Sequence, residues 1–417
     1  MLRISSLRFV FYSPEKSVVT QVRELSVSPS TDLSDLVLAL PEGNYKLVAI
    51  ANPTPKLVAR TAVGSPLSQL TGYEHYYTDE LATQGSQLTV SLLNEQGPVT
   101  VTSAAFSSTT PQVRIQLESV LARVLVYGEP RLAGGAKRGS APAGYVLSPQ
   151  ARYTAPLRPL GLLRTGGSEV AGDGSHPEDR YPTSRMCQEW KDSAPRSLTE
   201  LLSHFALDRM TSHEGGEDIY LARLLPDEQA LATAVSNIHA YARETTLPPT
   251  AYLVGALPSL VIRFPYIPGG LTLRENEGWV SFRGKYYTEG QMKEWIRSDD
   301  FDDSTLAEAV KAARINEDSF TAPFEKGDLR FYYRGYNYYV VPIRHFDDTK
   351  APTKTSIGRY GVVRGAEYRI RLTQILRPGT PVPPDLTADL TPVDEEKNVH
   401  AIVSVRPIVV HSSEIHI

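Results

Sequence analysis

The sequence predicts a mainly β protein with a few helices, with an antiparallel sandwich in its N-terminal part and a β-prone strand at its end. Three observations carry that prediction. Short runs of alternating apolar residues follow one another through the N-terminal third with no helical stretch between them. Prolines (31) and glycines (29) fall between those runs and punctuate them as turns. Apolar stripes at helical spacing appear only further along, and there are three of them.

Taken in order, Leu7, Phe9 and Phe11 alternate with Arg8, Val10 and Tyr12, a period of two that suits one buried sheet face. Residues 36–40 form an apolar run that ends at Pro41-Glu42-Gly43-Asn44, a turn signal, and residues 45–50 are expected to pair back as a hairpin. Leu88, Val90 and Leu92 follow, then Val113, Ile115 and Leu117 with polar residues between, then residues 121–127. Strands at this spacing without crossover helices indicate an antiparallel sandwich.

Between about residues 130 and 195 the chain turns loop-like, rich in Gly, Pro, Ser and charge, and a domain junction is placed there. The expected division is a first sandwich at 1–165 and a second at 166–398 with helical insertions and a Pro-rich linker. Residues 399–417 then form the terminal strand. Helices are expected where Leu198, Leu201, Leu202 and Phe205 share a face, and where Leu231, Val235, Ile238 and Tyr241 do after Pro226-Asp227. A third is expected near 305–315, where Thr305 and Glu308 read as a capping box. Strands resume at 260–262, 279–282, 336–343 and 368–372. Residues 377–398 are Pro-rich and acidic, and residues 401–410 beyond them are strongly β-prone. A strand left exposed at a chain end invites pairing with another chain.

Composition excludes several function classes. A net charge of −4 gives no basic excess to attract nucleic acid, and no apolar run approaches the 18 residues or so of a membrane span. The first residues show no charged region followed by a long apolar one, so a secretion signal is either unneeded or removed. The single cysteine, Cys187, rules out an internal disulfide and a multi-cysteine zinc site. Asp299, Asp300, Asp302 and Asp303 lack the spacing of a calcium loop and read as charges near a helix start. The 134–140 loop lacks the phosphate-binding pattern, and no zinc-protease or serine-hydrolase motif occurs. His345 and Asp347 read as structural hydrogen-bonding groups, and His411 and His416 fall on opposite faces of a strand. No catalytic, cofactor-binding or metal-binding residue is assigned, and no enzymatic activity is expected. The tyrosines 332, 333, 336, 338 and 339 suit strand packing; a carbohydrate-binding surface protein using the 331–340 strand as an aromatic platform is the competing reading.

Several segments together resemble the fimbrillin family of Bacteroidia, the subunits of type V pili. Leu7-Arg8-Phe9-Val10-Phe11 and the 41–52 segment are similar to its first strand and a later one. Residues 117–124 resemble a third, with Ser119 where arginine is usual. Tyr338-Tyr339-Val340-Val341-Pro342-Ile343-Arg344-His345 and Gly358-Arg359-Tyr360-Gly361-Val362-Val363-Arg364 resemble C-terminal family segments, with Gly365 where Asn is common. Residues 403–410 resemble the family's terminal strand, with Ile408 replacing Trp.

The resemblance implies a pair of transthyretin-like sandwiches, and export as a lipoprotein precursor trimmed by an arginine-specific protease. It further implies a surface fimbrium associated with the outer membrane, in which a terminal strand from one subunit fills a groove in the next. On that resemblance, residues 399–417 are the donor strand, with Ile402, Val403, Val405, Ile408, Val409 and Val410 as subunit contacts and the 377–398 linker as reach. Leu7, Phe9 and Phe11 are the candidate groove-lining residues. The expected partners are other fimbrial subunits, with host proteins or glycans beyond them. An accessory or tip-proximal position is expected, because residues 165–250 have no counterpart in the resemblance. In a paired strand, Ala401, Val403 and Val405 share one face and Ile402 and Ser404 the other.

Overall fold

The computed structural model describes residues 3–28, 30, 31, 33, 35–84, 88–107, 113–158, 189, 190, 192–206, 221–233, 237–345, 358–384, 390, 391, 399–408 and 411–416. The first sheet is built on β1 (Ser6–Tyr12), β2 (Val19–Ser26), β3 (Asp35–Val37), β4 (Tyr45–Ala51), β5 (Leu92–Asn94) and β6 (Val113–Ser119). Its spatial order begins β2-β1-β4-β5-β6.

The period-two reading of β1 holds for Leu7, Phe9 and Phe11, which enter one core with Leu47, Ala49, Ile115 and Leu117. The opposite face is buried as well. Val10 and Tyr12 pack with Val48, Ile50, Leu57 and Leu70, beneath the short helix α1 (Pro55–Arg60), which starts at the N-cap Thr54. Arg8 lies on that covered face because its guanidinium is satisfied: Nε donates to Thr61 Oγ1 at 2.9 Å and a terminal nitrogen to Thr61 O at 3.1 Å.

The expected hairpin of 36–40 with 45–50 does not form. β4 pairs with β1, β5 and the short strand Val99–Val101 instead, and β3 lies at the far end of the sheet. Burial explains the difference. Leu36 and Leu38 enter the same core as Phe9, while Val37 between them is 78% exposed, so the segment follows its apolar face and not the nearest strand.

At Val120 the chain changes sheets. β7 (Leu121–Tyr127) pairs with β9 (Tyr241–Arg243) and, in parallel, with β16 (Ala366–Ile375). The facing sheet holds β8 (Gly144–Leu147), β10 (Ser259–Ile267) and β15 (Tyr336–Pro342). Val124, Val126, Tyr145, Leu260, Ile262, Tyr339, Tyr368 and Ile370 fill the space between, and Tyr145 Oη donates across it to Val124 O at 2.7 Å. Strands 121–127 and 144–147, placed in the first domain from sequence, therefore hydrogen-bond within this second sandwich.

Between β10 and β15 the chain forms a small body with its own core. It contains β11 (Trp279–Phe282), β12 (Lys285–Thr288), β13 (Phe324–Lys326) and β14 (Leu329–Tyr332), in the order β12-β11-β14-β13. These strands pack Val280, Phe282, Leu329 and Phe331 against Met292, Leu306 and Val310 of two helices. Of those, α3 (Glu289–Ser298) is capped reciprocally by Thr288 and Gln291 and is absent from the sequence expectations. The other, α4 (Ser304–Ala312), is the expected one, but its cap is Asp303, whose carboxylate accepts from the Thr305 and Leu306 amides, and not Thr305. Trp279 stacks on Tyr332 at 3.7 Å where this body joins the sandwich.

Elsewhere, α2 (Leu198–His204) forms behind Ser197, but Phe205, expected on its face, lies beyond it in the short strand Phe205–Ala206, paired with Gln150–Ala151; in chain order α2 precedes α3. The 231–241 stripe is not one helix. It divides into a helical turn at Ala230–Thr233, a 3-10 turn at Ile238–Ala240 capped by Asn237, and β9. Strand pairing of buried Tyr241, Ala242 and Arg243 with β7 decides that division.

Candidate functional site: the terminal strands and the slot they fill

The sequence singles out the C-terminus, and the structure resolves it into two strands. β17 (Val399–Pro407) runs antiparallel to β16 in its own sandwich. β18 (His411–His416) lies in the first sheet, antiparallel to β6 and parallel to β3. The full order of that sheet is therefore β2-β1-β4-β5-β6-β18-β3. The last strand of the chain thus occupies an interior position in the sheet that begins the chain.

β17 follows the expected period. Tyr368 faces Val405, Ile370 faces Val403 and Leu372 faces Ala401, and these side chains join the sandwich core. Ile402, opposite Arg371, is 58% exposed. On the outer face Glu228 lies 3.7 Å from both Arg369 and Arg406, and Glu367 pairs with Arg123 and Arg369. Pro407, which has no N–H to donate, ends the strand opposite Ala366. Ile408 N–H then donates to Gly365 O at 2.7 Å. Val409 and Val410 lie outside the described residues, as do residues 385–389 and 392–398 of the linker and Cys187.

Leu7, Phe9 and Phe11 line the core under the first sheet together with Val113, Ile115 and Leu117 of β6, the strand that flanks β18. β3 closes the other side of the slot, and among the described residues its ladder partner is β18. The position between β6 and β3 is a strand-shaped slot: main-chain groups on both sides and an apolar floor.

A buried charge cluster lies beside this region that the sequence does not reveal. Arg364 Nε donates to Glu244 Oε2 at 2.8 Å, and its terminal nitrogens donate to Pro156 O and Thr154 Oγ1. Arg158 reaches Glu118 Oε2 at 2.8 Å. Burial pushes the Glu244 carboxyl up, but the charges of Arg364 and Arg158 outweigh it and hold it below its ordinary value. At Glu118 burial prevails over Arg158 and Arg364 and raises the carboxyl to about 8. Nearby, Tyr368 Oη accepts from the Val363 amide at 2.7 Å and lies 2.8 Å from His345 Nδ1. The Tyr368 hydroxyl and His345 Nδ1 are hydrogen-bonded, one donating to the other according to the imidazole tautomer. Burial lowers the His345 pKa to about 4, in keeping with a neutral ring.

Of the tyrosines in the carbohydrate reading, Tyr333 is half-buried and the others are covered. Tyr332, Tyr336, Tyr338 and Tyr339 are buried. Among the described residues no cluster of His, Cys, Asp and Glu has the arrangement of a metal site, and no helix is long and apolar enough to cross a membrane.

Residues 330–414 match the family model described as major fimbrial subunit protein type IV, fimbrillin, C-terminal. That span runs from within β14 into β18, and so contains β17 and the first four residues of β18. No curated protein matches the chain. Among solved structures, a Parabacteroides distasonis protein assigned to cell adhesion is 13% identical with a TM-score of 0.43, covering 98% of this chain and 94% of that one. A fimbrilin from Porphyromonas gingivalis is 14% identical with a TM-score of 0.42, covering 98% and 91%. The tip fimbrial protein Mfa3 of the same organism is 10% identical with a TM-score of 0.31, covering 96% and 94%. The family match covers residues 330–414 alone.

Proposed function

From the premise that residues 330–414 belong to the fimbrillin C-terminal family, we propose that this protein is a structural, non-enzymatic subunit of a bacterial surface fimbria. Its last strand is the link between subunits. The observation that carries the reading is the position of β18, which sits between β6 and β3 of the first sheet although it is the last element of the chain. A neighbouring copy's β18 can make the same ladder in that slot, since the main-chain bonds are the same whichever chain supplies the strand. β17 is the stem: Val403 and Val405 keep it packed on its own sandwich, and the exchanged part begins beyond Ile408. In the isolated chain the slot is filled by the chain's own strand. Exchange therefore conserves the interactions and alters only which molecule provides them.

The exported, outer-membrane-associated location and the accessory or tip-proximal position belong to the same proposal. They follow from the family resemblance. Removing residues 408–417 tests the assembly step: the truncated protein should fold, read by far-UV circular dichroism, yet fail to form polymers in size-exclusion chromatography. Undiminished polymer formation by the truncated chain overturns the reading.

A further inference from the structure

Two segments lead between the first sheet and the second sandwich, and among the described residues both touch Gly365. The first runs from Ser119 to Leu121, where β6 becomes β7; the second runs from Pro407 to His411, where β17 gives way to β18. Gly365 N–H points to Leu121 O at 3.4 Å, and Gly365 O accepts from Ile408 N–H at 2.7 Å. Gly365 has a left-handed backbone, φ +69°, and a Cβ there would lie 3.5 Å from Glu118 Oε2. The Glu118 carboxylate therefore lies directly under the crossing. It is 6% exposed, and among the described residues its Oε1 is buried without a hydrogen bond.

We propose that Glu118 and Gly365 form a latch holding the C-terminal tail at its crossing point, and that ionisation of Glu118 loosens it. An ionised carboxylate with one oxygen buried and unpaired is costly where it stands. The cost is relieved if the Gly365 segment moves aside and admits water, and that movement withdraws the acceptor of Ile408 N–H. The charged groups facing Glu118 are Arg158 after the Thr154 segment, Arg364 next to Gly365, Glu244 after β9, and Glu95 after β5. Tyr73 and His345 lie at the edge of the same cluster. Arg158 and Arg364 favour ionisation, Glu244 and Glu95 oppose it, and burial outweighs them all. The sign follows. A carboxyl raised to about 8 from an ordinary 4.5 contributes its full stability below pH 4.5 and loses it as pH rises to 8. The opening constant of the latch should rise by up to about tenfold per pH unit across that window and level off above it.

The latch acquires its use, control of strand release, only on the reading above, but the test does not depend on assembly. Hydrogen exchange of Ile408 and of β18 (residues 411–416) is measured on the dilute full-length chain at pH 6 and pH 8, corrected for intrinsic exchange. Protection should fall by about tenfold or more between these values in the parent and stay constant in Glu118→Gln. Gly365→Ala, which presses a methyl group toward the carboxylate in a strained backbone, should raise tail exchange at both pH values and leave β4 unchanged. A parent without pH dependence, an equal pH dependence in Glu118→Gln, or unchanged tail exchange in Gly365→Ala overturns the latch. If Glu118→Gln does not fold, the parent profile and Gly365→Ala decide alone.

Discussion

Arg364 lies against Glu244 at 2.8 Å, with the arginine side chain 1% and the glutamate 7% exposed. The pair joins the loop before β16 to the end of β9. A terminal nitrogen of Arg364 also donates to Pro156 O at 2.9 Å, so one guanidinium ties together three segments far apart in the chain. Buried ion pairs of this kind are weak sources of net stability but costly to break singly.

Arg364→Leu is accordingly expected to destabilise the chain by about 3–5 kcal/mol, because it leaves Glu244 buried and uncompensated. The double variant Arg364→Leu with Glu244→Leu should recover part of that loss. Urea denaturation of the three proteins checks the order. Equal stability of the single and double variants contradicts it.

Acid should weaken the fold through His345. Its folded pKa of about 4 lies below the ordinary 6.5, so the unfolded chain takes up the proton first as pH falls. The contribution is complete above pH 6.5 and is lost between 6.5 and 4, a change of about 3 kcal/mol. Protonation also makes both ring nitrogens donors, so Nδ1 must then donate to the Tyr368 hydroxyl. His345→Gln should flatten the slope of melting temperature against pH in that window. A slope identical to the parent's shows that other groups set it.

The stem strand provides a period-two test. Val403→Asp places a carboxylate against Ile370 in the sandwich core and should cost several kcal/mol, about 3 or more. Ile402→Asp puts the same charge beside Arg371 on the exposed face and should change stability by less than about 0.5 kcal/mol. Thermal melts of the two proteins make the comparison, and equal losses contradict the register.

The alternation of Ala401, Val403 and Val405 with Ile402 was legible in the sequence because a strand with one buried face must write that face in every second residue. Leu7, Phe9 and Phe11 were legible for the same reason. Their neighbours Val10 and Tyr12 were not, since nothing local to β1 announces that α1 and Leu70 cover the other face. The hairpin expected from the 41–44 turn failed because β3 answers to the core contacts of Leu36 and Leu38, and its ladder partner lies at the opposite end of the chain. Of the 279–332 body, β11 and α4 were legible, but α3 and the gathering of these elements around a core of their own were not, because that core exists only once β11, β14 and both helices pack together. The cluster of Glu118, Arg158, Glu244 and Arg364 could not be read at all. Its members come from four segments and meet only when both sandwiches are folded.

The central claim, that β18 of one molecule fills the slot of another, is tested most directly by pairing two single-cysteine proteins. Arg114 on β6 and Glu414 on β18 are register partners. In a Cys187→Ser background, Arg114→Cys and Glu414→Cys chains are mixed, allowed to assemble and oxidised. Strand exchange predicts a covalent heterodimer that appears with the polymer and is absent from dilute monomer. Polymers without the heterodimer, from proteins whose double variant Arg114→Cys/Glu414→Cys closes efficiently within one chain, show that the strand stays at home and contradict the account.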